Sequence, residues 1–305
     1  MNAINACTQG QPMNCTKPAR IRPAVRIAAI AIAVAALSPL AGRIAVAEEG
    51  GAVIERMDWT FSGIAGHYDR AQLRRGMQIY LEVCSACHGM NLLKYRNLGE
   101  PGGPELSTEE VKKIAAGFEI PDGPNDDGEM FERPAKPADA FKAPYANDKE
   151  ARGANGGALP PDLSVMGKAR GIPSHASFGP LQWAKDIASG YQEGGPDYVF
   201  AVLTGYQDDA PDGFELAEGM NYNKAFPGHQ IAMPSPLSDD LVEYADGTPQ
   251  TTEQYAKDIS AFLMWAAEPK LELRKRLGLR VLIYLALLSL LLYLAKRKVW
   301  SRIEH

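Results

Sequence analysis

Apolar residues recur at helical spacing in two segments of the chain. The first segment predicts a helix from Ala71 to Val83 with Asp69 as its cap. Its apolar positions are Leu73, Met77, Tyr80 and Leu81. The second segment predicts a helix that begins near Thr251, where Thr251 and Gln254 form a capping-box pair. Its apolar stripe consists of Tyr255, Ile259, Phe262 and Leu263.

A continuous apolar run near the start of the chain predicts a secretory signal. It extends from Ile27 to Leu37, follows three arginines and precedes Ala45-Val46-Ala47, a small-residue cleavage site. Its 11 residues are too few to cross a bilayer, which disfavours a membrane anchor. We therefore interpret residues 1–47 as a signal peptide.

A second continuous run, from Val281 to Ala295, predicts a transmembrane helix. It has 15 residues without a charge and covers about 22 Å at about 1.5 Å per residue. The span becomes long enough if Leu277 joins it and Arg280 snorkels outward, which gives an anchor at residues 277–295. Leucines on every face disfavour the alternative, a buried helix of a soluble core. The signal orients the span, so residues 48–276 are predicted to be periplasmic and residues 296–305 cytoplasmic.

Charge is distributed as unevenly as hydrophobicity. The formal net charge of the chain is −5, yet residues 48–276 contain 36 acidic and 22 basic residues and carry −14. This acidity argues against nucleic acid and favours a basic soluble partner, whose association rate falls as salt rises. One segment concentrates the acidic residues Glu119, Asp122, Asp126, Asp127, Glu129 and Glu132. The alternative is an acidic loop that only keeps the protein soluble.

Cys84-Ser85-Ala86-Cys87-His88 is the C-x-x-C-H pattern of covalent c-type haem attachment. Two thiols at this spacing reach both vinyl groups of one porphyrin, and the histidine becomes an axial ligand of the iron. A zinc site would need further ligands at similar spacing, but no other cysteine follows the leader. A thioredoxin-like redox pair expects a preceding strand, whereas the residues before Cys84 look helical.

The sixth iron ligand separates an electron carrier from a haem enzyme, such as a peroxidase, with an open coordination position. Met77 and Met264 occupy core-like helical positions, and Met90 is too near His88 to reach the opposite haem face. Met233 lies in a proline-rich loop that could hold a thioether in a fixed place. Loop chemistry alone leaves His229 as a rival ligand and leaves Met233 a possible core-filling side chain.

Further motifs follow this site in an order that resembles the cytochrome c1 family, the haem subunit of the bc1 complex, in its alphaproteobacterial form. They are Gly157-Ala158-Leu159-Pro160-Pro161-Asp162-Leu163-Ser164, Asp197-Tyr198-Val199-Phe200, Leu203-Thr204-Gly205-Tyr206, Phe226-Pro227-Gly228 with Ile231-Ala232-Met233, and Phe262-Leu263-Met264-Trp265-Ala266-Ala267-Glu268-Pro269. The resemblance extends from about Trp59 to Trp300 and is far more specific than C-x-x-C-H alone.

The resemblance implies a haem site with particular residues. It makes Met233 the sixth ligand of the iron, opposite His88, places Arg170 near the haem propionates, and packs Tyr198 against the haem. The residues implied to line the pocket are Asn155, Ala158, Pro160, Pro161, Leu203, Phe226 and Ile231. An insertion from about Gly171 to Gly195 departs from mitochondrial forms, and Pro180 to Ser189 within it predicts a short helix.

The resemblance also implies a fold and a function. We expect a mainly α c-type cytochrome domain with long Gly/Pro-rich loops, plus one C-terminal transmembrane helix, with the two periodic helices packed across each other. One covalently attached haem c would carry electrons from the Rieske iron–sulfur protein to a soluble cytochrome c, with cytochrome b as a further membrane partner at the inner membrane. The alternative is a membrane-tethered cytochrome that serves a dehydrogenase or terminal oxidase.

Overall fold

The computed structural model describes residues 54–170 and 193–301. The predicted leader at 1–47 and the predicted helix at 180–189 lie outside these residues. Within the described ranges the chain is mainly helical, as expected. The α-helices are α1 (Arg70–Glu82), α2 (Thr108–Ala116), α3 (Asp148–Ala154), α4 (Met166–Ala169), α5 (Gly195–Thr204), α6 (Thr252–Ala267) and α7 (Leu271–Trp300).

Two small antiparallel sheets accompany these helices. Strands β1 (Glu119–Asp122) and β2 (Phe131–Pro134) pair with each other, as do β3 (Asn221–Tyr222) and β4 (Gln230–Ile231). The first pair corrects one detail of the sequence interpretation, because the acidic segment forms a hairpin and not merely a loop. Asp122 in this hairpin is ion-paired with Arg133, while Asp126, Asp127 and Glu129 are exposed in the connection between the strands.

Helix α1 begins and ends within one residue of its predicted bounds. The Asp69 carboxylate accepts hydrogen bonds from the backbone N–H groups of Ala71 at 2.9 Å and Gln72 at 3.3 Å, so it caps the helix as predicted. The face that carries Leu73 and Tyr80 is buried. A cap at one end and a periodic apolar face are local signals, which is why the sequence places this helix accurately.

The capping box predicted for α6 forms only in part. The Thr251 hydroxyl accepts a hydrogen bond from the Gln254 N–H at 3.3 Å. The Gln254 side chain does not reach back to Thr251 but donates to Asp258 Oδ1 at 2.9 Å. Asp258 is fully buried, and a buried carboxylate is destabilising unless it accepts hydrogen bonds. The second half of the predicted box is therefore wrong.

Helices α1 and α6 cross at close range, which confirms the predicted packing. A Cβ atom built on Gly76 of α1 would lie 2.2 Å from the Asp258 carbonyl oxygen and 2.6 Å from Phe262 Cβ on α6. Beside this contact, Arg75 Nε donates to Asp258 Oδ2 at 2.8 Å, and the Tyr244 hydroxyl donates to the same oxygen at 3.0 Å. The crossing thus combines a backbone contact that only glycine permits with a buried ion pair.

Helix α6 is the central element, because α1, α4 and α5 all pack against it. Glycines bring α4 and α5 close to it and to each other. A Cβ on Gly167 would lie 2.7 Å from Met264 Cα, and a Cβ on Gly195 would lie 1.9 Å from the Gly167 carbonyl oxygen. Helix α4, before the insertion, and the start of α5, at its end, therefore pack closely against each other, and α4 packs closely against α6.

Helix α7 contains the predicted anchor. Among the described residues, it is the helix that is long enough and apolar enough to cross a membrane. Its first turn is bonded to the rest of the domain. Arg70 donates to both carboxylate oxygens of Glu272, at 2.7 and 2.9 Å, and Lys275 donates to the Phe61 carbonyl oxygen. The later turns of α7 expose leucines on all sides, as expected for a surface that faces lipid.

We predict that Gly76→Ala lowers the free energy of unfolding by about 1–2 kcal/mol. The methyl group would lie 2.2 Å from the Asp258 carbonyl oxygen, so the cost belongs in the upper half of the about 1–3 kcal/mol typical of overpacking. It therefore exceeds the gain of about 1 kcal/mol in helix propensity. Denaturant unfolding measures the change. Gly153→Ala is the matched control, because a Cβ there meets nothing within 4 Å. It should leave stability unchanged or raise it, and equal effects of the two substitutions would contradict the close crossing.

Candidate functional site

The C-x-x-C-H motif directly follows α1 and folds as a tight turn. Cys84–Ala86 forms a 3-10 turn, and the backbone N–H groups of Cys87 and His88 donate to the Cys84 carbonyl oxygen at 3.2 and 2.9 Å. The Ser85 hydroxyl donates to the Leu81 carbonyl oxygen at 2.9 Å. Cys84 is half-buried and Cys87 is exposed. The end of α1 therefore fixes where both thiols and the histidine lie.

His88 is oriented as a neutral metal ligand. Its Nδ1 atom lies 2.8 Å from the Pro161 carbonyl oxygen. Because a carbonyl only accepts hydrogen bonds, Nδ1 carries the proton and Nε2 keeps a lone pair. Burial lowers the pKa of His88, which favours the neutral ring. A backbone carbonyl that fixes the outer ring nitrogen is a common support for ligating histidines.

The alternative chemistries for the two cysteines find little support. Burial raises the pKa of the Cys84 thiol to about 12, whereas a redox-active pair requires a lowered thiol pKa. Zinc requires about four ligands around one point. Over residues 54–170 and 193–301, no three His, Cys, Asp or Glu side chains form a group that could hold a metal ion.

The last four residues of a second segment, residues 155–164, are bonded to the motif and to the residues just after it. The Leu163 N–H donates to the Gly89 carbonyl oxygen at 2.9 Å, and the Asn91 N–H donates to Asp162 Oδ2 at 2.8 Å. The segment includes the predicted pocket residues Asn155, Ala158, Pro160 and Pro161. Asn155 caps the end of α3, and its amide group donates to the Tyr145 hydroxyl at 3.0 Å. These bonds bring Pro161 to His88, while Asn155 is bonded to Tyr145 and to Ala151 of α3.

Tyr198 and Arg170, the two residues assigned to the haem periphery, lie within electrostatic range of each other. Burial raises the pKa of Tyr198, and the positive charge of Arg170 partly opposes this shift. Arg170 is exposed just after α4, and Tyr198 is half-buried on α5. Leu203, on the same helix as Tyr198, is buried in the main hydrophobic core.

The Met233 loop is attached to the end of α5. The Met233 carbonyl oxygen accepts hydrogen bonds from the Tyr206 hydroxyl at 3.1 Å and from Asn221 Nδ2 at 3.4 Å. The Met233 side chain is half-buried and packs against the core. Phe226 and Ile231, the remaining predicted pocket residues, are also half-buried in this loop.

His229, the rival ligand, is engaged elsewhere in this structure. Its ring stacks on Tyr222 with centroids 5.9 Å apart and meets Phe214 edge-on at 6.4 Å. Its Nδ1 atom lies 3.3 Å from the Asn223 carbonyl oxygen. The ring thus belongs to a small aromatic cluster, which favours Met233 over His229 as the ligand in this loop.

The structure therefore assembles the predicted site residues into two bonded groups. One combines the motif with residues 155–164, the other combines α5 with the Met233 loop, and α6 contacts both through its neighbouring helices. Sequence reasoning missed three polar residues that hold these groups. Asp162 had a usable signal, since an Asx residue before a turn is typical of such bonds. Asp197, which accepts from Trp59 Nε1 at 2.7 Å, and the buried Asn223 had none.

Comparison with known proteins agrees with this geometry. The chain matches the Cytochrome C1 family model over residues 59–303. It is 44% identical over 279 residues to cytochrome c1 of Rhodospirillum rubrum, which covers 87% of this chain and 93% of that protein. It is 47% identical over 243 residues to "Cytochrome c1 1, heme protein, mitochondrial" of Arabidopsis thaliana, across 80% of this chain and 71% of that protein.

A longer relative also matches. "Cytochrome b/c1" of Bradyrhizobium diazoefficiens is 48% identical over 280 residues, which is 90% of this chain, although the chain spans only 40% of that protein. The family match covers most of the chain and contains the C-x-x-C-H motif, residues 155–164 and the Met233 loop. The chain belongs to the cytochrome c1 family.

Proposed function

We propose that this chain is the haem subunit of a cytochrome bc1 complex, which receives electrons from a Rieske iron–sulfur protein and passes them to a soluble cytochrome c. The observation that carries the proposal is the family match over residues 59–303, which includes all the motifs quoted above. In this role the protein supplies position and electrostatics to a redox cofactor, and no acid–base pair is required.

The residues present fit one haem c. Cys84 and Cys87 would hold it through thioether bonds, and His88 and Met233 would be its axial ligands. The His88 Nδ1 proton is donated to the Pro161 carbonyl oxygen, which leaves Nε2 free to hold the iron of a bound haem. When bound, the haem supplies one-electron chemistry, and methionine ligation raises its reduction potential.

The pocket residues have separate tasks in this proposal. Arg170 would place a guanidinium near a haem propionate, where it offsets a carboxylate beside an apolar ring. Tyr198 would pack against the haem, and Leu203, Phe226 and Ile231 would exclude water. The remaining lining residues are Asn155, Ala158, Pro160 and Pro161. The bonds of residues 161–163 to His88, Gly89 and Asn91 support the position of this segment beside the motif.

The membrane arrangement is also a proposal. Residues 1–47 would be a signal peptide, 48–276 a periplasmic domain, 277–295 the single inner-membrane anchor and 296–305 a cytoplasmic tail. Helix α7 supports the anchor. The name "Cytochrome b/c1" of the Bradyrhizobium relative joins a cytochrome b with a cytochrome c1, which supports cytochrome b as a membrane partner.

The acceptor is proposed to dock on the acidic periplasmic surface. Residues 48–276 carry a net charge of −14, and the carboxylates between β1 and β2 are exposed. A surface that carries mainly negative charge attracts a positively charged protein and accelerates its association. A basic soluble cytochrome c fits that description.

Met233→Leu should remove the methionine–iron absorption band of the oxidised protein and lower the reduction potential, because leucine cannot ligate iron. Absorption spectroscopy and a redox titration of the purified full-length protein measure both effects. Met130→Leu is the matched control, since Met130 is exposed in the hairpin. A native spectrum in Met233→Leu would sink the ligand assignment.

Purification of the chain in mild detergent should co-isolate a b-type cytochrome and a Rieske iron–sulfur protein. Haem difference spectra and the electron paramagnetic resonance signal of the Rieske cluster identify them. Isolation with a copper oxidase or with a dehydrogenase would instead favour the alternative of a cytochrome that serves one of those enzymes.

Electron transfer to a basic soluble cytochrome c should slow as salt rises. At low salt, the double substitution Asp126→Asn with Asp127→Asn should slow it by about two- to tenfold, because two steering charges are lost. Stopped-flow kinetics measure the rates. The control pair, Glu109→Gln with Glu253→Gln, removes the same charge from two exposed helix starts. A rate that does not depend on salt would contradict the docking proposal.

A further inference from the structure

We infer that Asn223 is a positioning residue for the sixth iron ligand, because its buried side-chain amide fixes the loop that carries Met233. The inference rests on the proposed function, in which Met233 binds the haem iron. Asn223 has 0% of its surface exposed. Asparagine is mostly an exposed residue type, so full burial of this one calls for a specific set of partners.

The side chain of Asn223 joins helix α5 to the start of the Met233 loop. Its Nδ2 atom donates to the Val202 carbonyl oxygen, in the last turn of α5, at 2.8 Å. Its Oδ1 atom accepts from the backbone N–H groups of Ala225 at 3.0 Å and Phe226 at 3.1 Å. One planar amide thus uses its donor on the helix and its acceptor on the loop.

Gly205 makes room for this amide. A Cβ atom at that position would lie 2.8 Å from Asn223 Oδ1 and 2.5 Å from the Ala201 carbonyl oxygen. The backbone of Gly205 has φ −91°, which any residue adopts, so space and not conformation requires glycine. The Lys224 N–H donates to the Gly205 carbonyl oxygen at 3.0 Å. We call this set of bonds between the end of α5 and residues 223–226 the junction.

The same junction holds the backbone of Met233. Tyr206 follows Gly205 and forms an antiparallel bridge with Asn223. Its hydroxyl donates to the Met233 carbonyl oxygen at 3.1 Å. Asn223 also donates its backbone N–H to the His229 carbonyl oxygen at 3.0 Å, which closes the loop at its far side. Loss of the Asn223 side-chain bonds would therefore release Ala225 and Phe226 from α5 and loosen the frame of Met233.

The chemistry of the junction selects an amide side chain. The group on α5 is a carbonyl that only accepts, and the groups on the loop are N–H donors. Aspartate keeps both acceptor bonds but places a second acceptor against the Val202 carbonyl oxygen, and alanine loses all three bonds. Both substitutions therefore weaken the junction.

The test uses the full-length, haem-loaded protein in detergent with Asn223→Asp and Asn223→Ala. Both variants should lose the methionine–iron band at a lower temperature than the circular dichroism signal of the helices. We expect a band loss of about twofold or more in both variants where that signal is still native. The reduction potential should fall in both variants as well.

Asn97→Ala is the matched control, because Asn97 also bonds a turn, through Lys94 and Glu100, in the segment after the haem motif. In this control, the methionine–iron band and the circular dichroism signal should be lost at the same temperature. Loss of both signals at one temperature in the Asn223 variants would overturn the inference, because Asn223 would then stabilise the whole fold and not the Met233 loop in particular.

Met233→Leu separates this inference from the proposed function. If Met233→Leu loses the band while both Asn223 variants keep it up to global unfolding, only the role of Asn223 fails. If Met233→Leu keeps the native band, the ligand assignment fails, and the inference about Asn223 fails with it.

Discussion

The crossing of α1 and α6 at Gly76 is the contact on which the rest of the structure depends. No side chain fits between the two backbones there, so the helices meet at a distance that other residues cannot adjust. Arg75 and Asp258 form an ion pair beside the crossing. Burial alone would lower the pKa of Arg75, but its hydrogen-bonded carboxylate partners raise it, so the guanidinium stays charged. Because Cys84 follows the last turn of α1 almost directly, the crossing also fixes the start of the haem motif.

The two proposed axial ligands are supported in different ways. His88 lies on a rigid turn at the end of α1, and its ring is oriented by one backbone carbonyl, that of Pro161. Met233 follows strand β4, which pairs with β3. Its backbone carbonyl oxygen is held by hydrogen bonds from the side chains of Tyr206 and Asn221. A thioether has no proton or second nitrogen through which its orientation can be fixed. The orientation of a methionine ligand must therefore be fixed by its surrounding backbone. This requirement explains why buried hydrogen bonds are concentrated near the end of α5.

Local patterns in the sequence predicted the parts of the fold whose causes are local. Asp69 and the apolar face of α1 fixed that helix to within one residue, whereas the pairing of α1 with α6 was expected from the family resemblance. The Gln254 side chain was misplaced because its partner is Asp258, whose burial results from packing with α1 and not from the α6 sequence. The residues of the site came from the motif and the family resemblance. Asn223 could not be found in this way, since an asparagine in a loop is ordinary until the structure places it on the Val202 carbonyl.

The start of α7 extends the same rigid frame to the membrane. Only Glu268, Pro269 and Lys270 separate it from α6, and Glu268 is bonded to Lys168 on α4 as well as to Arg274 on α7. Burial would raise the pKa of Glu268, yet these two cations hold it below its usual range, and Arg70 does the same for Glu272. Both carboxylates are therefore ionised at neutral pH. Their contribution to stability is lost only when the pH falls through their lowered pKa values. The start of α7 is therefore tied by ion pairs to α1 through Arg70, and to α4 through Glu268, which bonds both Lys168 and Arg274.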